Sequence, residues 1–190
     1  MSRKFFLISF IIILQTLAAS AQSKPNAAIG KQIKSLNVEK NIKLIYDEAG
    51  GTSKVFATGE DFGRDADKRA NVQNFSFGMA FFYAGKTLSF TPDEINLTFW
   101  VMAKKPQFAA AHHLTVTVGN ETLDLGDARY VSKPNEKMEY LNFKIRREFF
   151  AKIAKSPNAK IKIGNAEFQL TPEHLKIFAA MLKISDPSVL

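Results

Sequence analysis

The chain has no cysteine, one tryptophan and three histidines among its 190 residues. Without cysteine, no disulfide can stabilise the fold, no thiolate can complete a soft metal site, and no lipid can be attached through a cysteine. The fold must therefore be stabilised by the burial of apolar side chains. The aromatic residues are mostly phenylalanine, 17 against four tyrosines. Because phenylalanine has no polar group for a wet surface, this bias predicts an aromatic core.

Motifs for common enzyme chemistries are also absent from the sequence. It contains no Gly-x-Ser-x-Gly elbow, no Ser-x-x-Lys, no glycine-rich phosphate loop and no dinucleotide fingerprint. The adjacent pair His112 and His113 would point to opposite sides of a strand, and His174 is distant in sequence. Since zinc needs three or four converging ligands, we predict no metal and no cofactor.

One enzymatic hypothesis remains open. A small hydrolase or metal-dependent enzyme could use His112 or His113 together with a carboxylate from the Gly- and Asp-rich segment 59–74, such as Asp61, Asp65 or Asp67. It requires these groups to lie within hydrogen-bond reach of one another, which spacing along the chain cannot show.

The amino terminus has the pattern of an export signal. Arg3 and Lys4 precede an almost unbroken apolar run from Phe5 to Leu17, and small residues follow at Ala19 and Ala21. The run is too short for a membrane-spanning helix, which needs about 20 apolar residues. We therefore predict a signal peptide over 1–21, a protein that is periplasmic or secreted from a bacterium, and no transmembrane span in the mature form.

The rest of the chain predicts one domain. The polar segment 22–41 is interpreted as a linker or a frayed lead-in, in which a weak helical turn around Ala27 to Leu36 is an option. A single β-rich domain is predicted over 42–184, and 185–190 is interpreted as a tail after Asp186-Pro187. The polar stretch 129–138, which contains Pro134, is interpreted as a loop.

An internal repeat dominates the second half of the sequence. The alternating segment 97–101 resembles 141–145, and the segment 116–125 resembles 161–170. Each segment of the second pair carries Gly-Asn between two alternating runs, which is typical of a two-residue type II′ hairpin. The expected register places Val116 opposite Leu123 and Ile161 opposite Phe168, so that one face of each hairpin is apolar.

The repeat favours a mainly β fold, with α+β as the broader possibility. We predict an antiparallel two-sheet sandwich built from hairpins, with a short helix near 147–155 and a C-terminal helix near 172–183. A single curved sheet covered by the last helix is the alternative. Phe75 to Tyr83 is expected to be a central strand, with Gly78 marking a bulge or a close backbone approach, and Trp100 on the opposite face from Phe99. Core packing accounts for this Phe-rich strand better than an apolar ligand does.

The charge distribution gives the candidate site. The chain carries a formal net charge of +8, and the surplus is concentrated between Lys133 and Lys162. Alternation puts four of these cations on the outward faces of two strands, and a helix carries others. The predicted basic patch consists of Lys144, Arg146, Arg147, Lys152, Lys155, Lys160 and Lys162.

This patch suggests attraction to an anionic surface. We therefore expect an exported, non-enzymatic β-domain that binds an anionic envelope component or an acidic partner protein through a basic sheet face. The alternative is a solvated face that keeps the domain soluble and protects an edge strand. Nucleic acid is not expected as a partner, because the patch is not interleaved with aromatic residues and the leader directs export. The identity of the ligand and any catalytic residues cannot be deduced from the sequence.

Overall fold

The computed structural model describes residues 27–59, 61–62, 72–133, 135 and 137–190. Within this part of the chain, two antiparallel sheets pack together, as predicted, and three α-helices accompany them. The helices are α1 (Ala27–Ser35), α2 (Arg147–Lys155) and α3 (Pro172–Ile184). The strands are β1 (Ile42–Asp47), β2 (Thr52–Thr58), β3 (Asn74–Ala84), β4 (Glu94–Met102), β5 (His113–Val118), β6 (Glu121–Asp127), β7 (Arg129–Lys133), β8 (Met138–Arg146), β9 (Ala159–Ile163) and β10 (Ala166–Gln169).

The two sheets differ in size. The larger sheet has six strands in the order β1-β2-β3-β4-β8-β7, and the smaller has four in the order β10-β9-β5-β6. The chain passes from the smaller sheet to the larger at Ala128, between β6 and β7. This crossover brings one edge of the smaller sheet next to one edge of the larger.

The two copies of the sequence repeat pair with each other. In the larger sheet β4 pairs with β8, and in the smaller sheet β5 pairs with β9, both antiparallel. The β4–β8 register is symmetric about Thr98 opposite Asn142, and the β5–β9 register is symmetric about Val116 opposite Ile161. Antiparallel pairing of equivalent strands in this way gives each pair a local twofold arrangement.

Both predicted hairpins are confirmed. Val116 lies opposite Leu123 and Ile161 opposite Phe168, in the expected register. Gly119 and Gly164 have φ values of 60° and 54°, whereas the asparagines that follow do not have positive φ. A positive φ at the first central residue alone distinguishes a type II′ turn from a type I′ turn.

Phenylalanine rings join the two layers. The rings of Phe75 on β3 and Phe168 on β10 lie 4.4 Å apart, centroid to centroid, which connects the inner faces of the two sheets. Beyond the edge of the smaller sheet, Phe178 of α3 covers the same inner face and packs 5.6 Å from Phe77 and 5.2 Å from Phe150 of α2. All of these rings are almost fully buried, as the composition predicted.

The helices complete the inner layer. Thr171 begins α3 with a capping box in which its side chain accepts from the backbone N–H of His174 and the His174 ring accepts from the backbone N–H of Thr171. Pro172 occupies the first turn, where its missing N–H costs nothing. No helix in the described part of the chain combines the length and the apolar character needed to cross a membrane.

Two segments differ from the sequence-based interpretation. Helix α1 lies in the segment interpreted as a linker, and its Ile29 and Ile33 are buried in the core. The segment interpreted as a loop, 129–138, contains β7, which pairs with β8 at the edge of the larger sheet. Every second residue of β7 is only half-buried, so its alternation is too weak to mark a strand in the sequence. The predicted leader, 1–21, lies outside the described residues.

Gly78 allows a close approach on the outer side of the larger sheet. A Cβ atom at this position would lie 2.1 Å from Cη2 of Trp100 and 3.0 Å from the backbone oxygen of Ala57. The indole of Trp100 therefore lies against the backbone of β3, on the opposite side of β4 from the buried Phe99. The close approach predicted at Gly78 is confirmed.

This contact predicts the effect of one substitution. Gly78→Ala should destabilise the protein by about 1–3 kcal/mol, because the new methyl group overlaps a rigid ring in a central strand. It should also displace Trp100, whose fluorescence is an unambiguous reporter because it is the only tryptophan. The measurements are chemical unfolding and the tryptophan emission spectrum.

Gly30→Ala is the matched control. Gly30 lies in α1, its backbone is helical, and a methyl group on its Cα would have nothing within 4 Å. This substitution should stabilise the protein by roughly 0.5–1 kcal/mol, since alanine is the better helix former. Equal stability effects of the two substitutions would contradict the close packing of Trp100 on Gly78.

Candidate functional site

The structure separates the cations of the predicted basic patch. Lys144 and Arg146 lie on the outer side of β8, in the larger sheet, whereas Lys160 and Lys162 lie on β9, in the smaller sheet. A single patch required β8 and β9 to be neighbours, and they are not. The outer faces of the two sheets of a sandwich point away from each other.

Carboxylates accompany several of these cations. Lys144 with Glu94 and Arg147 with Asp186 form long pairs at 3.9 Å. Three closer ion pairs are formed, Arg146 with Glu148 at 2.9 Å, Lys152 with Glu121 at 2.5 Å and Lys160 with Glu167 at 3.0 Å. These pairs are largely exposed, so each adds little to stability, but each reduces the local positive potential. Lys155 and Lys162 have no carboxylate partner among the described residues.

Arg147 has a structural position. Its guanidinium donates to Ser185 Oγ at 2.5 Å and to the backbone oxygen of Leu182 at 3.3 Å, and it lies 3.9 Å from Asp186. Burial lowers the pKa of Arg147 below its ordinary value, while the charge of Asp186 acts in the opposite direction. The side chain thus connects the start of α2 to the end of α3. Its contacts with Ser185 and Asp186 also attach the segment interpreted as a tail, 185–190, to the rest of the domain.

His112 is held inside a structural cluster. Its Nδ1 lies 3.1 Å from the backbone oxygen of Phe108, and its ring stacks on Tyr130 with centroids 5.7 Å apart. The Tyr130 hydroxyl donates to Glu139, a carboxylate that is 2% exposed. Glu139 also accepts from the backbone N–H groups of Gln107 and Phe108, at 2.9–3.0 Å. A buried carboxylate bonded in this way fixes the loop that carries His112.

Removal of this carboxylate should be costly. Glu139→Ala would leave two backbone donors and a tyrosine hydroxyl without their acceptor, and we expect a loss of roughly 3 kcal/mol of unfolding free energy. Glu121→Ala, which removes an exposed ion pair, should cost less than about 1 kcal/mol. Chemical unfolding of the two variants tests this, and similar losses would show that Glu139 does not anchor the loop.

His113 is engaged on both ring nitrogens. Nδ1 lies 2.8 Å from Asp127 and Nε2 lies 2.9 Å from Asp124. These carboxylates are three residues apart, so a regular strand would place them on opposite faces. A β-bulge at Leu114/Thr115, where Gly126 has φ 81°, shifts the register by one residue and brings both to the same side.

This geometry affects the protonation of His113. The hydrogen bond to Asp127 raises the pKa of His113 above its ordinary value of 6.5, and the charges of Asp124 and Asp127 act in the same direction against some desolvation. Because the folded-state pKa is raised, the stabilisation is fully present below about pH 6.5 and is lost as the pH rises through the folded-state pKa. Solvent screens the effect, since the imidazole is half exposed.

Substitution of each carboxylate in turn should show how much each one raises the pKa of His113. Asp127→Asn should lower the pKa of His113 more than Asp124→Asn does, because the bond to Asp127 is the main cause of the increase. An NMR titration of the His113 ring protons measures both, with the rings of His112 and His174 as internal references. An unchanged titration of His113 in both variants would rule out a clamp of the His113 ring between Asp124 and Asp127.

These arrangements make His113 a poor candidate for the general base of the hydrolase hypothesis. A general base needs a ring nitrogen that can reach a substrate proton, and both nitrogens of His113 already contact carboxylates. Of the loop carboxylates, Asp61 accepts a hydrogen bond from Ser76, while Asp65 and Asp67 lie outside the described residues. Among the residues whose placement is described, no three His, Asp or Glu side chains are arranged to hold a metal ion.

A different surface brings cations together. It is the outer face of the larger sheet, defined as the outward residues of β1–β4, β7 and β8, and the β6 strand of the smaller sheet adjoins it next to β8. Cations outnumber carboxylates at these positions. The cations are Lys43, Lys54, Arg129, Lys133, Lys144 and Arg146, and the carboxylates are Asp47 and Glu94.

A groove of about 680 Å³ crosses this outer face. The β6 segment Leu125 to Asp127 forms one rim, because the crossover to β7 brings the smaller sheet alongside. The groove is lined by the cations Lys54, Arg129 and Lys144 and by the uncharged polar residues Asn96, Thr98 and Asn142. Phe82, which is 49% exposed, adds an apolar surface.

Two of the three groove cations have no carboxylate partner among the described residues, and the third has a distant one. Neither Lys54 nor Arg129 has a carboxylate partner among the described residues, and Lys144 lies 3.9 Å from Glu94, beyond hydrogen-bond distance. The ammonium of Lys54 lies 5.6 Å from the ring centroid of Phe82, which keeps it at the sheet surface. Asp127, on the rim, is engaged by His113.

Hydrogen bonds fix the polar centre of the groove. Thr98 donates to Asn142 Oδ1 at 2.9 Å, and Asn142 Nδ2 donates to the backbone oxygen of Arg129 at 3.2 Å. The bond between Thr98 and Asn142 lies at the symmetric centre of the β4–β8 pair. The side chains of Thr98 and Asn142 are thereby held in one orientation before any ligand binds.

The sequence patch and the groove share only Lys144. Lys54 and Arg129 lie on β2 and β7, far apart in sequence and outside the segment in which the positive charge is concentrated. The alternation of Lys54 with buried residues of β2 could have indicated its outward direction. No feature of the sequence indicated that Arg129 would join it.

Comparison with protein-family models, with curated proteins and with solved structures finds no match to this chain. Its function is therefore inferred from the geometry of its own residues.

Proposed function

We propose that this chain is an exported, non-enzymatic binding domain whose ligand is an anionic component of the cell envelope. The binding surface is the groove on the outer face of the larger sheet. The observation that carries the proposal is the presence of three cations, Lys54, Arg129 and Lys144, in one groove, where only Lys144 forms an ion pair with a described carboxylate, Glu94 at 3.9 Å.

Electrostatics favours an anionic ligand for this groove. Cations in a concave surface next to a low-dielectric protein interior concentrate the positive potential and attract anions. An ordinary solvated face disperses its charges or pairs them, as the smaller sheet does with Lys160 and Glu167. The groove cations stay near the sheet surface, where an extended ligand can contact several of them at once.

Export supports an envelope component over other anions. The leader predicted over 1–21 directs the chain out of the cytoplasm, where anionic polymers and head groups of the envelope are abundant ligands. An acidic partner protein would meet the same cations. The groove suits a narrow ligand better, because the β6 rim stands beside the cations and restricts access by a broad protein surface.

The test is a paired charge reversal. Arg129→Glu with Lys144→Glu should weaken binding to an anionic envelope fraction by roughly tenfold or more, because two attractive contacts become repulsive. Lys155→Glu with Lys162→Glu makes the same change in net charge on α2 and β9, away from the groove, and should change the affinity little. Isothermal titration calorimetry at two salt concentrations measures both pairs, and binding to the native protein should weaken at the higher salt.

The same experiment separates the groove from the patch predicted by the sequence. A larger loss in the Lys155 and Lys162 pair would place binding on α2 and β9 instead. Equal small losses in both pairs would reject a localised basic site altogether. Circular dichroism and unfolding curves of both double variants confirm that each protein is folded before affinities are compared.

A further inference from the structure

We infer that the ligand of this outer face is an acidic polysaccharide, a chain of sugar rings bearing carboxylates, that lies along β4 and β8 from the groove to Trp100. This inference rests on the proposed function and specifies the class of ligand. It arises from the residues that continue the groove along the same two strands.

Three successive cross-strand pairs define the path. Asn96 is paired with Lys144, Thr98 with Asn142, and Trp100 with Tyr140. Alternate residues of a strand are roughly 7 Å apart, so the path from the first pair to the third is roughly 14 Å long. A single phosphate or a single head group could not span it, whereas a polymer could.

The chemistry changes from one end of the path to the other. Lys144 provides positive charge and Asn96 an amide at one end, Arg129, Thr98 and Asn142 provide charge and hydrogen-bonding groups in the middle, and Trp100 provides an aromatic surface at the far end. A ligand that satisfies all three regions needs anionic groups, hydroxyls and apolar ring faces in one molecule. A polysaccharide with carboxylates has these groups on every repeat.

The position of Trp100 supports contact with a sugar ring. Its indole lies against Gly78, where any larger residue would push it away from the sheet. The side chain is partly exposed, so part of the indole can contact a ligand on the outer face. An indole that packs on the sheet in this way is not free to insert into a bilayer, so the arrangement favours a polysaccharide over a lipid surface.

Nucleic acid also combines anionic groups with flat rings, and it uses successive aromatic platforms. Here the second ring of the pair, Tyr140, has the ammonium of Lys133 5.6 Å from its centroid. Among the described residues no cation lies over the ring of Trp100, which therefore remains as the one open platform of this pair. This single platform, together with the predicted export, favours a polysaccharide.

The test compares four probes on the native protein. Polygalacturonate should bind and change the emission of Trp100, whereas its fully methyl-esterified form, with the same backbone and no charge, should bind at least tenfold more weakly. Phosphatidylglycerol vesicles and oligo-dT should also bind at least tenfold more weakly than polygalacturonate. Tighter binding of oligo-dT would overturn the inference in favour of nucleic acid.

Substitution of the platform tests its contribution. Trp100→Ala should weaken polygalacturonate binding about tenfold in calorimetry, the size of effect expected when a stacking ring is removed. Trp100→Phe should recover part of the affinity. Phe90→Ala, which removes an exposed aromatic ring outside the strands, should leave the affinity unchanged. Unchanged affinity in Trp100→Ala would overturn the inference.

Failure of this inference can be told apart from failure of the proposed function. If vesicles bind, polygalacturonate does not, and Arg129→Glu with Lys144→Glu abolishes vesicle binding, the groove binds anions and the polysaccharide assignment is wrong. If none of the charged probes binds at low salt, both the groove and the polysaccharide assignment are rejected.

Discussion

The antiparallel pairing of the two repeat copies is the constraint on which the rest of the structure depends. It fixes β4 against β8 and β5 against β9 in registers that place apolar residues of both partners on the same side. A shift of one residue would turn all of these side chains to solvent, so the aromatic core holds the register. The rings of Phe75 and Phe168, on the strands next to these pairs, then join the two layers.

The same register fixes the outer surface. Because side chains alternate along a strand, burial of Leu97 and Phe99 determines that Thr98 faces outward, opposite Asn142. The position of the groove is therefore a consequence of the core, and the hydrogen bond between Thr98 and Asn142 lies where the local symmetry of the strand pair places it. The preorganised polar centre needs no loop to position it, which favours a binding surface that changes little on ligand binding.

Local patterns were sufficient to predict the hairpins and the two later helices, because these features depend on neighbouring residues, and the internal repeat indicated the sandwich. Gly119 and Gly164 determine their turns through a positive φ, and Thr171-Pro172 determines the start of α3. The basic patch could not be predicted in this way. Its cations are close together in sequence, but the fold divides them between two sheets. The predicted hairpin register had already placed Glu167 opposite Lys162. The groove cations come from strands that are adjacent only through the sheet order, which a single sequence does not contain.

The clamp around His113 could not be predicted from the sequence for a related reason. Alternation predicts opposite faces for Asp124 and Asp127, and only the bulge, with Gly126 at a positive φ, reverses that expectation. A glycine between two aspartates is common in turns, so it did not distinguish a bulge from a loop. The helix in 27–35 was predicted only as a weak turn within a linker, because its apolar residues are few, although Ile29 and Ile33 are buried against the rest of the core.

Trp100 and Gly78 distinguish this outer face from one that is merely soluble. A solvent-facing strand gains stability from β-branched residues, and glycine in the middle of a strand costs roughly 0.5–1 kcal/mol relative to alanine. Here the glycine gives space to an indole that contributes nothing to the buried core between the sheets. Solubility would be served better by a short polar residue at each position. The proposed polysaccharide would give this pair a role, because the indole lies on the same outer face as the groove cations.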